Sequence, residues 1–179
     1  KTNLSFGVKG TASFFSFDQF KVTPFQANDP KWKSVSSNLS PNFGIGTYLH
    51  SDKYYLGLSI PNLMESNLYN DNEIAIKSQR MNYYVIGGYV FDLSKSLKLK
   101  PSFMVKYTKG APISNDFTAN LLYNEKVWLG GSYRINGKQR AIGAIVDFQV
   151  TDQFRVGYTY EIPTGEIRPY TSGSHEILL

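Results

Sequence analysis

Few side chains in this 179-residue chain are of types that could do covalent or metal chemistry. There is no cysteine, and the two histidines are His50 and His175. Without cysteine there is no disulfide framework, no thiolate metal centre and no cysteine nucleophile. A zinc site needs His, Cys or carboxylate ligands at short, convergent spacing, and neither histidine has such a neighbour. A serine nucleophile needs a base and an orienting acid, and no Gly-x-Ser-x-Gly elbow occurs. Gly44 and Gly46 lack the third glycine and the following helix of a dinucleotide loop. The expectation is a protein with no catalytic, metal or cofactor-binding residues and no small-molecule substrate.

The charges are more informative than the nucleophiles. The formal charge is +5, yet Lys and Arg are scattered, with no basic cluster interleaved with stacking aromatics, so no nucleic-acid partner is expected. Leu97, Leu99, Pro101, Phe103, Val105 and Tyr107 alternate with Lys98, Lys100, Ser102, Met104, Lys106 and Thr108. A helix would mix these two sets, whereas a strand puts each on its own side. Lys98, Lys100 and Lys106 therefore share one polar face. Asp147 with Gln149, and Arg155 with Glu161, fall on polar faces of later segments.

Alternation of this kind recurs, and strands are expected at 4–17, 42–50, 53–60, 81–92, 97–108, 115–123, 127–134, 140–150, 154–161 and 174–179. A short helical turn is allowed within 63–76. Short polar turns at 51–52, 92–96, 124–126 and 151–153 alternate with longer links at 18–41, 61–80, 109–114, 135–139 and 162–173. That segregation fits an all-β, antiparallel up-and-down transmembrane β-barrel of about ten strands, with tight turns at one rim and longer loops at the other. Mean hydropathy of −0.30 is compatible with it, because half of each strand faces a polar interior. No run of 18 apolar residues offers a membrane helix.

Other features point the same way. Tyr48, Tyr54, Tyr55, Tyr89, Phe91, Tyr123, Trp128, Phe148 and Phe154 flank the short turns, where an aromatic girdle would meet the headgroups. Glycines inside strands, such as Gly57, Gly88, Gly130 and Gly143, suit the bends of a closing sheet. A Lys facing lipid at mid-depth costs about 2–4 kcal/mol, so Lys98, Lys100 and Lys106 are candidate lumen-lining residues. They line either a selective passage or a merely wet or plugged interior, and the latter is preferred. Two loop segments are candidate partner-docking points. Pro61, Asn62, Leu63, Met64 and Glu65 place an apolar pair in a polar link, and Gly110, Ala111 and Pro112 follow Lys109 in a compact turn.

At these residues the chain resembles the PorP/SprF family of type IX secretion and gliding-motility outer-membrane proteins. The stretches that carry the resemblance are PNFGIGTYLHSDKYYLGLSIPNLME (41–65), YYVIGGYVFDLSKSLKLKPSFMVKYTKGAP (83–112), VWLGGSYR (127–134), AIGAIVDFQVTDQFRVGYTYE (141–161) and SGSHEILL (172–179). They run in the family's order and cover most of the chain after Asn42. The resemblance implies an outer-membrane barrel that assists export or surface attachment of large secreted proteins. Its implied partners are membrane lipid, other type IX secretion components, and a secreted adhesin or cargo carrying a C-terminal sorting domain. It implies no catalytic residue. Family members are longer, with a signal peptide and further strands, so 1–179 is expected to be one barrel domain, N-terminally incomplete. Two other readings stay open: a diffusive porin with the lysines facing water, and a soluble lipocalin-like barrel with the apolar face around a pocket.

Overall fold

The computed structural model describes residues 1–15, 38–67 and 77–179. Most of the expected longer link at 18–41, and most of the possible helical turn within 63–76, lie outside the described residues.

Alternating side chains and Val, Ile, Tyr and Phe content favour extended backbone almost everywhere. The strands are β1 (Asn3–Phe15), β2 (Asn38–His50), β3 (Tyr54–Ile60), β4 (Ser66–Asn67), β5 (Lys77–Gln79), β6 (Asn82–Tyr89) and β7 (Phe91–Asp92). They continue with β8 (Leu97–Thr108), β9 (Ser114–Tyr123), β10 (Val127–Asn136), β11 (Gln139–Gln149), β12 (Arg155–Pro163) and β13 (Ser174–Leu178). One sheet runs β1-β2-β3-β6-β8-β9-β10-β11-β12-β13, with β7 also on β8, while β4 and β5 pair separately. Every pairing is antiparallel and each long strand lies beside its predecessor, so the order is up-and-down as expected. Among the described residues β1 and β13 are the two ends of the sheet and do not pair with each other. No described helix is long and apolar enough to cross a membrane, which says nothing about strands.

Several boundaries differ from the sequence reading. β2 begins at Asn38, inside the expected long link. The expected 81–92 strand is interrupted at Val90, yet its N–H still bonds the facing Lys53 carbonyl at 2.6 Å and β6 and β7 keep one register against β8. The expected longer link at 135–139 is instead a tight hairpin, because Asn136 pairs Gln139 across Gly137 and Lys138. Gly137 takes φ 59°, a left-handed conformation that glycine adopts without the steric cost a Cβ brings. A 3-10 turn at Arg168–Tyr170 inside the last long link was not expected. The short turn at Asn124 and Glu125 has φ 49° and 57°, the mirror-image reversal that matches right-handed strand twist.

Register decides which residues share a face, since directly paired residues point the same way. One face carries Phe6, Val8, Ile45, Leu58, Phe103, Phe117, Leu129 and Ile142, all exposed. Phe6 is 79% and Val8 84% accessible. The opposite face carries Ser, Thr, Asn, Gly and charged residues and is the more covered one: Asn42 is 2% and Asp147 6% accessible. A sheet curled toward its polar side has this pattern. Ala141 is the one buried apolar side chain among the described residues. The sheet is inside-out relative to a water-soluble domain.

Candidate functional site

The polar face is built from residues of one parity on each strand, and it divides into two halves. Across β1, β2, β3, β6 and β8, its strand positions include Lys9, Lys98, Lys100 and Lys106 and contain no Asp or Glu. Tyr55 on β3 lies flat across β6 because residue 88 is glycine; a Cβ there would sit 2.6 Å from the Tyr55 ring. Lys100 reaches over that ring, its Nζ 5.3 Å from the centroid. Lys106 Nζ stands 5.8 Å from the Tyr84 ring centroid. The face of an aromatic ring attracts a cation, so these contacts hold two ammonium groups against the wall without neutralising them. Lys98, at the short-turn rim, pairs with Glu125 at 2.8 Å.

On β9 to β13 the cations meet carboxylates instead. Arg134 on β10 donates from Nε to Asp116 on β9, and from Nη1 to Glu161 on β12 at 2.9 Å. It spans the intervening β11 because that strand presents only Ala141 and Gly143 beneath it. Asp147 on β11 accepts a hydrogen bond from Arg155 Nε at 2.5 Å, and the Arg155 guanidinium lies 5.8 Å from the Trp128 ring centroid. Desolvated carboxylates on this wall are thereby paired, as burial of charge requires. A cleft of about 520 Å³ opens at the long-loop rim, bordered by Arg134, Lys138, Glu161, Glu166 and Tyr170.

The lumen candidates Lys98, Lys100 and Lys106 thus share a face, with one of them engaged by a turn carboxylate. The two loop candidates behave differently from each other. Pro61, Asn62 and Leu63 fold back over the polar face of β2 and are half-buried. Asn42 Nδ2 donates to the Met64 carbonyl at 2.7 Å, and the Met64 N–H donates to Asn42 Oδ1 at 3.1 Å. Leu63 N–H donates to the Phe43 carbonyl at 2.8 Å. Gly44 leaves room for this crossing, since a Cβ there would lie 2.5 Å from the Pro61 carbonyl oxygen. Met64 and Glu65 remain exposed. Gly110, Ala111 and Pro112 are exposed at the rim, closed by an Ala111 N–H bond to the Thr108 carbonyl at 3.0 Å. Sequence reasoning missed Asn42 and Arg134. Asn42 could have been noticed as a polar residue amid strand formers, but its partner lies 22 positions away.

The aromatic girdle needs correction. Tyr54, Tyr89, Phe91, Tyr123, Phe148 and Phe154 are exposed, and those paired in the sheet sit on the apolar face near the short turns. Tyr48, Tyr55 and Trp128 belong to the polar face, because they pair Gly57, Gly88 and Asp147 there. Tyr48 stacks on His50 with centroids 5.5 Å apart and lies 6.0 Å from Tyr55. His175 is bonded through Nδ1 to the Tyr158 hydroxyl at 2.6 Å. Among the described residues no three His, Asp or Glu side chains gather as a metal site.

At the short-turn rim, exposed ion pairs tie neighbouring hairpins. Lys53 pairs with Asp92 at 3.1 Å, and the hydrogen bond and charge of Asp92 hold the ammonium above its ordinary pKa of 10.5. The Lys98 hydrogen bond, and then its charge, hold the Glu125 carboxyl below its ordinary 4.5.

Comparison with curated proteins and with solved structures finds no match. The family model described as type IX secretion system membrane protein PorP/SprF matches residues 1–179. An antiparallel sheet with its apolar face outward is compatible with part of a membrane-spanning β-barrel. The chain belongs to the PorP/SprF family of type IX secretion system membrane proteins.

Proposed function

We propose that this chain forms the wall of an outer-membrane β-barrel that assists export or surface anchoring of a secreted protein, without catalysis of its own. Its partners in this reading are lipid around the apolar face, other secretion components, and a secreted adhesin or sorting-domain cargo. The observation that carries the membrane part is the exposed apolar face. Leaving a Phe, Leu, Ile or Val side chain in water instead of burying it costs about 1.5–3 kcal/mol each. A face of such residues from Phe6 on β1 to Ile177 on β13 is tenable in hydrocarbon and costly in buffer. Strands solve the backbone problem in lipid because their N–H and C=O groups pair with neighbours. The soluble lipocalin-like alternative needs the apolar side chains enclosed, and the described residues have them outside.

The export role rests on the family, and the loop candidates supply its contact points in this reading. Gly110, Ala111 and Pro112 present a rim turn that a partner can reach, and Met64 is the exposed tip of the inward-folded segment. Lys98, Lys100 and Lys106 line the interior. A diffusive porin is the competing reading, favoured by Lys100 and Lys106 having no carboxylate partner among the described residues. Affinity capture of the complete protein from native membranes, with identification of its companions, tests the choice. Recovery of secretion components or a sorting-domain cargo is expected. Their absence, together with a steady large conductance in planar bilayers, would replace export by diffusion.

A further inference from the structure

The structure assigns the lysine–tyrosine wall of β3, β6 and β8 as a docking site for an acidic, extended polypeptide segment. The assignment rests on the membrane-barrel reading above and names the chemistry of a partner for it. Lys100 and Lys106 face the polar side with aromatic rings beneath them, and no carboxylate pairs with either among the described residues. The polar strand positions of β1, β2, β3, β6 and β8 contain four lysines and no acid, and the acid on β7, Asp92, stands beside Lys98 at the short-turn rim and bridges to Lys53. Positive charge held on this half-covered face attracts whatever anion can reach it.

Spacing selects the kind of anion. Residues 100 and 106 are six apart on one strand, about 20 Å at the rise of ~3.4 Å per residue. Lys98 is already engaged by Glu125. A small anion meets one lysine only, whereas a chain bearing several carboxylates meets both. A polypeptide in extended form advances at nearly the same rise as β8 and keeps its charges in step with the wall. Tyr55 and Tyr84 hydroxyls and the hydroxyls of Ser102 and Thr118 supply polar contacts between the charged points, and Ser102 and Thr118 already bond each other. The other half of the face offers no such opening, since Arg134 and Arg155 are taken by Asp116, Glu161 and Asp147. A membrane protein of a secretion system handles polypeptides, which favours this polymer over other polyanions.

The test uses the complete protein in neutral detergent with short poly-L-glutamate as the probe. Lysine acetylation read by mass spectrometry should slow at Lys100 and Lys106 when the peptide is present and stay unchanged at Lys95 and Lys138. Replacing both by Lys100→Gln and Lys106→Gln should weaken peptide binding about tenfold or more, while Lys95→Gln should leave it unchanged. Equal protection by inorganic phosphate at matched charge would make the wall a small-anion site and overturn the proposal. Polyphosphate binding as tightly as the peptide would overturn it too, by showing that charge alone is read. Heat-modifiable gel migration of the same sample separates the two readings. Intact migration without protection defeats this site alone, whereas lost migration defeats the barrel and the site with it.

Discussion

On β10 a guanidinium reaches Asp116 on the adjoining β9 and, across β11, Glu161 on β12; on β8 the Lys100 ammonium rests on a tyrosine ring and pairs with no carboxylate among the described residues. Both side chains lie on the polar face of one sheet, and both keep charge away from the apolar face. They differ in what completes them. The β9–β13 half satisfies its ions internally, with Asp147 nearly buried beneath Arg155. The β1–β8 half leaves Lys100 and Lys106 held but not neutralised, and spends its small residues on other tasks: Gly88 under Tyr55, and Gly44 under the Pro61 carbonyl. Patterning alone therefore sets the direction of a side chain, while pairing decides whether that part of the wall is complete or receptive.

The largest expected effect should be the same in both halves, because lipid exposure does not depend on what lines the interior. Phe103 and Phe117 face each other across the β8–β9 boundary on the apolar face. Phe103→Lys or Phe117→Lys should each cost about 2–4 kcal/mol and abolish the heat-modifiable folded form in membranes. Lys100→Ser should assemble normally. Equal tolerance at 100 and 103 would reverse the inside–outside assignment.

Next in size, Arg134→Ala should lower stability by about 1–3 kcal/mol, because Asp116 and Glu161 lose their shared donor. Lys100→Gln should change it by no more than about 0.5 kcal/mol, having no carboxylate to abandon. Denaturant midpoints of the detergent-solubilised protein measure both, and similar losses would erase the distinction between the halves. Gly44→Val should cost about 1–3 kcal/mol by forcing the Pro61 backbone off β2. Faster amide exchange at Leu63 and Met64, with β10 and β11 unaffected, is the expected signature.

The smallest effect is at the rim. The carboxyl of Glu125 is held below its ordinary value by Lys98, so its contribution is present above pH 4.5 and is lost as pH falls through the lowered folded value. The Lys53 contribution runs the other way: full below pH 10.5 and lost as pH rises through the raised value. Both pairs are exposed and salt-screened, so the change should be slight. A melting-temperature profile of Glu125→Gln should lose only the acid limb of the difference, and an unchanged limb would remove the pair from the account.

Much of the wall was legible from local rules. Alternation at Leu97–Thr108 defines two faces because successive Cβ atoms of a strand point oppositely, and no tertiary knowledge is needed. Adjacent Tyr54 and Tyr55 could not both join a girdle, and parity already said so; the sequence reading grouped them by nearness to a turn instead. Trp128 was different, because its inward direction follows from pairing with Asp147, a register the segment does not carry alone. The hairpin at Gly137 reads as a looser link in the sequence because the expected strands stop at 134 and resume at 140, whereas β10 runs to Asn136 and β11 begins at Gln139.

What the sequence determined by itself is the up-and-down order, the turn rim and the two-sided chemistry of each strand, since all follow from period two and from turn residues close along the chain. Tertiary structure alone decided that Asn42 clamps Met64 and turns a supposed surface loop inward. It alone decided that Arg134 joins β9 to β12 and that Tyr55 lies under Lys100. These contacts join residues that meet only once the strands are set side by side, and the register that sets them is a property of neighbouring strands together.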